Sequence, residues 1–449
     1  MNQKIKSLSE GRLAKVVMNQ PILGIFVIIF TMVSLNAIFN SISTAMGDSF
    51  PRTTFLFNPK DLFADYFKLI FSYPEASSLV ISESSILSSL LTEYLHNNPY
   101  QGINGLSAQT LTHFHNTPLS TAFALINLYL MKWIAPIWLF LLMLVGLFLS
   151  SYLIIKRVAS SPYDRLFLML SIIICYPTLF LITRGHIFSG IAFVALISYL
   201  VLIYEDRKWL ALLLLAVAVN IRPNAMIFVI ALFVATSGFK VKDSLFFLAV
   251  TSVIFIITFW LSNLLYSDYT ISNFLLGLKT YHTMYVIGNG GLGFGSSLFG
   301  PIKLVFGASS VSEVSSMIFA GLFIISAIWL KATNRITRST FIFIICASYV
   351  LGTPVFADYH LGIFFAPLIY LYLESGKGGY IEIEHSSRVE YLVVYFTSIF
   401  MLVPKNYFYV KFTSAQIILN PIILLLMTIT IIVYYGFYDE EKRFSTSVL

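Results

Sequence analysis

The stretch that decides the fold runs from Trp209 to Thr236, WLALLLLAVAVNIRPNAMIFVIALFVAT, two apolar runs held apart by Asn220, Ile221, Arg222, Pro223 and Asn224. The runs 209–220 and 225–238 are each shorter than the roughly 20 residues that a helix needs to cross a bilayer. The pair therefore reads as a hairpin whose tip stops within the membrane. An arginine at such a tip has to face a wet cavity or an anionic partner, because leaving it in lipid costs several kcal/mol. Arg222 is a candidate site residue on that ground, with Asn224 beside it.

Around the hairpin, the chain of 449 residues is 58% hydrophobic and 11% charged, with 41 Phe and 26 Tyr. That is far too apolar for a soluble globule of this length. Taking roughly 20 residues per span, apolar runs fall near 21–42, 135–155, 166–183, 187–204, 209–220, 225–238, 244–265, 312–331, 338–353, 360–373, 389–403 and 418–436. They predict an all-α polytopic membrane protein of about 12 transmembrane helices, one integral-membrane domain over residues 1–449 in a lipid bilayer. Most of the 28 Lys and Arg lie in the two tails and in segments 156–165, 205–208, 239–243, 331–338 and 374–390, which the positive-inside rule makes cytoplasmic. The net charge of +7 then reports topology, and no nucleic-acid partner is expected. The basic N-terminus is followed by a full-length apolar run without an A-x-A-like cleavage pattern and reads as a retained signal anchor.

Two long segments, 43–134 and 266–311, are left on the outer side, so any chemistry is expected there. The first contains helical-period stretches, DLFADYFKLIF, SSILSSLLTEYL and STAFALINLYLMKW, read as amphipathic helices on the outer face of the membrane. The second carries a similar helix near 270–285 and then GNGGLGFG. Cys175 and Cys346 both sit inside apolar runs and read as small core residues.

Chemistry-bearing residues cluster in these outer regions. Asp61 and Asp65 are four residues apart on one helical face. They form either a solvated face paired with Lys60 and Lys68 or a carboxylate pair in which one pKa is raised and one member acts as a base. In TRGHIFSG, Arg184 offers a rigid donor fork for a phosphate oxygen or else snorkels at the interface, and His186 follows it across a glycine. In GTPVFADYHLG, Asp358 and His360 form a turn suited to proton relay or merely to capping. Tyr281, His282 and Asn289 precede flexible glycines that read as a loop over a cavity. No HExxH, paired CxxC, GxSxG or Asp-x-Asp pattern occurs, so neither a metal site nor a cofactor is expected.

These motifs, in this order over residues 21 to about 373, resemble the GT-C class of polyprenyl-phosphate-sugar-dependent glycosyltransferases, and family 87 in particular. The resemblance rests on an aspartate in the first outer loop, RGH at 184–186, RP at 222–223, an Asn before a glycine-serine run at 289–297 and TPVFADYH at 353–360. Two positions depart from the family pattern. Arg222 stands where lysine is common, and Tyr359 precedes His360 where the family usually carries Trp-x-His-Tyr.

The resemblance implies a GT-C-like bundle in the plasma (inner) membrane that moves a sugar, with inversion, from a polyprenyl-phosphate-linked donor to a glycan or glycolipid acceptor on the extracytoplasmic side. It implies Asp65 as general base modulated by Asp61, with His360 in the catalytic turn. Arg184 and Arg222 would hold the donor phosphate, and His186, Asn224, Tyr281, His282, Asn289 and Asp358 would line the substrate. A transporter or flippase would also account for many spans and buried arginines, although no internal repeat is present. A ligase or polymerase of surface polysaccharide would share the lipid donor.

Overall fold

The computed structural model describes residues 20–46, 116–131, 136–230, 241–287, 295–307, 310–374, 385–405, 409–410 and 413–438. Asp61, Asp65 and Asn289 lie outside the described residues, as do DLFADYFKLIF and SSILSSLLTEYL.

The order begins with α1 (Pro21–Ala45), α2 (Pro118–Met131), α3 (Pro136–Val158), α4 (Pro162–Ile174), α5 (Tyr176–Arg184), α6 (Ile187–Tyr204) and α7 (Lys208–Ile221). A 3-10 turn at Pro223–Phe228 precedes α8 (Val241–Leu265) and α9 (Ile271–Tyr281), which runs into a π-helical turn, His282–Ile287. After α10 (Phe299–Phe306), α11 (Ser310–Ala332) and α12 (Arg338–Gly352), a second 3-10 turn, Asp358–Phe364, leads to α13 (Phe365–Glu374), α14 (His385–Leu402) and α15 (Ala415–Val433).

Local chemistry sets several of these boundaries. Ser161 caps α4 by accepting from Tyr163 N at 3.2 Å, and Pro162, which has no N–H to leave unpaired, occupies the first turn. Thr270 and Thr337 cap α9 and α12 in the same way. Between α4 and α5 the chain bends by 51°. Cys175 is extended there, and Pro177 has no N–H to continue the α4 ladder.

By length and composition, α1, α3, α6, α8 and α15 can cross a membrane, and the bent pair α4–α5 makes a sixth span if taken as one. Large apolar side chains stand exposed along these helices, among them Phe30, Leu142, Ile256, Trp260 and Leu426, which suits a bilayer environment. Most of the remaining apolar runs are shorter helices, including α7, α12 and the apolar parts of α11 and α14. The hydropathy of α12 has another origin. Every residue of α12 from Ser339 to Leu351 is buried in protein, so that helix is apolar all round because it is the centre of the bundle.

One further expectation meets a different arrangement. STAFALINLYLM forms α2, but this helix packs against the end of α8, where Ser262 Oγ donates to Pro118 O at 3.0 Å and Tyr269 OH to Asn116 O at 2.7 Å. Its Thr121, Ala122, Ala124 and Leu125 are buried, so apolar residues once assigned to lipid contact serve helix packing. Among the described residues the regular structure is helical except for a two-residue antiparallel pairing of Tyr409–Val410 with Thr413–Ser414. The helix expected near 270–285 is present as α9 and its π-helical extension.

Candidate functional site

Three chain breaks bring the site together. At the first, α5 ends in a Schellman arrangement. Gly185 adopts φ 68°, its N–H donates to Ile182 O at 3.0 Å, and His186 N–H donates to Leu181 O at 3.1 Å. Glycine reaches this left-handed conformation without steric cost, and the reversal leaves Arg184 buried and His186 at the entrance to α6.

At the second break, Pro223 biases the residue before it away from helical geometry, and Arg222 is extended at φ −135°, ψ 94°. At the third, the chain after α12 passes Pro354 and winds into the 3-10 turn that carries His360. That turn seats closely on α6, since a Cβ on Gly362 would lie 3.0 Å from the Phe193 ring.

Arg222, His186, Ser189 and His360 meet where these breaks converge. Arg222 Nη2 lies 3.1 Å from His186 Nε2 and donates to Ser189 Oγ at 2.7 Å. Ser189 Oγ is also 3.0 Å from His186 Nδ1 and 3.1 Å from His360 Nε2. Tyr359 lies tilted against the rings of both histidines at 4.7 Å, and Phe356 meets His360 edge-on at 5.5 Å.

Among the described residues Arg222 has no carboxylate partner, and its Nε is buried without an acceptor. A half-buried guanidinium left in that condition is costly unless an anion completes it. Tyr281, at the end of α9, is close enough to feel the Arg222 charge and stacks on Tyr285 at 4.9 Å. His282 and Asn224 are exposed.

Asp358 belongs to a second polar cluster, behind the turn. It is fully buried, accepts from Tyr176 OH at 3.1 Å and from Ser296 Oγ, and Ser296 in turn accepts from Asn420 Nδ2 at 2.8 Å. Burial pushes the Asp358 carboxyl up to about 6, against the hydrogen bonds of Ser296 and Tyr176 and the nearby Lys405 charge. Lys405, just after α14, donates to Val403 O at 3.0 Å and to Phe400 O. Burial draws its ammonium down to about 7, opposed by Asp358. These bonds tie α5, the end of the glycine-rich loop and α15 to the turn that holds His360.

Beside Tyr359 a narrow crevice, with room for little more than a water molecule, is lined by Leu147, Phe148, Ser151, Ile172, Thr178, Leu181 and Phe193.

Of the residues singled out by sequence, the fold joins Arg222 to His186 directly and to His360 through Ser189, with Arg184 two residues before His186. Ser189 was missed, although its position three residues after His186 puts it on the same helical face. Tyr176, Ser296, Asn420 and Lys405 were missed as well. Among the described residues no group of three or more His, Cys, Asp or Glu is gathered for a metal ion.

No protein-family model, curated protein or solved structure matches the chain.

Proposed function

We propose that the protein is a membrane glycosyltransferase. It takes a sugar from a polyprenyl-phosphate-linked donor and transfers it, with inversion, to an acceptor hydroxyl at the extracytoplasmic face of the plasma membrane. The observation that carries this reading is the Arg222 guanidinium, held by His186 and Ser189 next to His360 and left with unbonded donors and no carboxylate partner among the described residues.

In this reading Arg222 binds the leaving phosphate. Asp65 takes the acceptor proton, and the resulting oxygen attacks the anomeric carbon from the face opposite the phosphate. The bond from that carbon to the phosphate oxygen breaks, and its electron pair stays on the lipid phosphate. Charge therefore grows on the leaving group, where preorganised donors are worth most. Arg222 supplies those donors, and Arg184, buried two residues before His186, is the second candidate for the phosphate. The remaining short apolar helices complete a GT-C-like bundle of about 12 crossings, with segments 43–134 and 266–311 outside.

The test is the affinity of the reconstituted chain for a short-chain polyprenyl phosphate. A charge-assisted hydrogen bond contributes about 1.5–3 kcal/mol, so Arg222→Ala should weaken binding by roughly 10- to 100-fold. Equal affinity in the two proteins would remove Arg222 from the phosphate site and the reading with it.

A further inference from the structure

The four-residue cluster around Ser189 has a hydrogen-bond inventory that closes in only one way. Ser189 Oγ meets Arg222 Nη2 at 2.7 Å, His186 Nδ1 at 3.0 Å and His360 Nε2 at 3.1 Å. A hydroxyl has two acceptor lone pairs and one proton, so three contacts use its full capacity.

A guanidinium donates and never accepts. The 3.1 Å contact of Arg222 Nη2 with His186 Nε2 is therefore a hydrogen bond only if that nitrogen carries no proton. His186 is then neutral, with its proton on Nδ1, and this proton points at Ser189 Oγ. Arg222 and His186 fill both lone pairs of the serine. Its own proton is left for His360 Nε2, which must also be bare. The opposite assignment, a proton on His360 Nε2, would confront Ser189 with three donors and leave its own O–H without an acceptor.

We propose that Ser189 is the positioning residue of this site, a hydroxyl that fixes His186 and His360 as neutral imidazoles protonated at Nδ1 and so leaves His360 Nδ1–H as an open donor beside Arg222. Among the described residues that nitrogen has no hydrogen-bond partner. Both hydrogens of Arg222 Nη2 are committed to His186 and Ser189, which leaves Nη1 and Nε as its unbonded donors. The inference deepens the reading of the site as an anion site and rests on it for the use of these donors. The tautomers themselves follow from the hydrogen bonds alone.

The test is nitrogen NMR of the full chain in liposomes, labelled with 15N-histidine and free of donor. Signals are assigned by their loss in His186→Asn and His360→Asn. The wild type should show both rings neutral, with a pyrrole-like Nδ1 and a pyridine-like Nε2. In Ser189→Ala, His360 should revert to the Nε2-protonated form that free histidine prefers, while Ser189→Thr, which keeps the hydroxyl, should retain the wild-type pattern. A doubly protonated or Nε2-protonated ring at either position in the wild type would overturn the proposal. So would a His360 tautomer unchanged by Ser189→Ala. Because no donor or turnover enters the measurement, failure of the glycosyltransferase reading leaves this result interpretable on its own.

Discussion

Gly295, at the described end of the glycine-rich loop, is pressed against the turn that carries His360. A Cβ built on it would lie 2.6 Å from Phe356 O, about 0.8 Å inside the 3.4 Å at which ordinary contact begins. The obstacle is backbone and cannot rotate away, and the Phe356 ring is itself 5.5 Å from the His360 ring. Gly295→Ala must push these two backbone segments apart. Overpacking of this kind costs about 1–3 kcal/mol, enough to lower Tm by about 1–3 °C in a chain of this length. A displacement approaching 1 Å at a catalytic group costs on the order of 10²-fold in rate, so sugar transfer should fall by about that factor. Gly146→Ala and Gly321→Ala are matched controls, since a Cβ at either position meets nothing within 4 Å. Each should leave activity intact and Tm unchanged or slightly raised. The assays are thermal unfolding followed by tryptophan fluorescence and transfer from a lipid-phosphate sugar. Wild-type Tm and rate in Gly295→Ala would refute the claim that the loop and the turn are locked together.

Loss of a general base costs about 10²–10⁴-fold, so Asp65→Asn should nearly abolish transfer while leaving lipid-phosphate affinity unchanged, and Asp61→Asn should do less. Full activity in both variants would move the search for the base to Asp358 and His360. Stability should also depend on Asp358. Its folded pKa of about 6 lies above the ordinary 3.8, so its contribution is complete below pH 3.8 and is lost as pH rises through 6. Tm measured from pH 4 to 7 should decline over that window, and Asp358→Asn should flatten the slope; an unchanged slope would assign it to other groups.

Arg222 was legible in the sequence because two local signals coincide there, a run too short to span and a proline that ends α7. His186 and His360 were legible because an imidazole in an otherwise apolar stretch needs a polar partner. Ser189 was not, since a serine inside an apolar helix carries no charge and commonly bonds to its own backbone, as Ser198 does to Val194 O at 2.6 Å. The partners of Asp358 were beyond reach for another reason, Tyr176 being 182 residues away along the chain and Ser296 62. Helix type was legible and span number was not. Hydropathy reports exclusion from water, and α12 is excluded by its neighbours whereas α8 is exposed along most of its length.

The claim that the cluster serves sugar transfer is tested most directly by following both halves of a labelled polyprenyl-phosphate hexose incubated with the reconstituted chain and an acceptor glycan. Transfer should release free polyprenyl phosphate and glycosylated acceptor in equal amounts, and the new bond should have the opposite anomeric configuration to the donor. Movement of the intact lipid–sugar across the bilayer without release of lipid phosphate would contradict the account and make the protein a flippase.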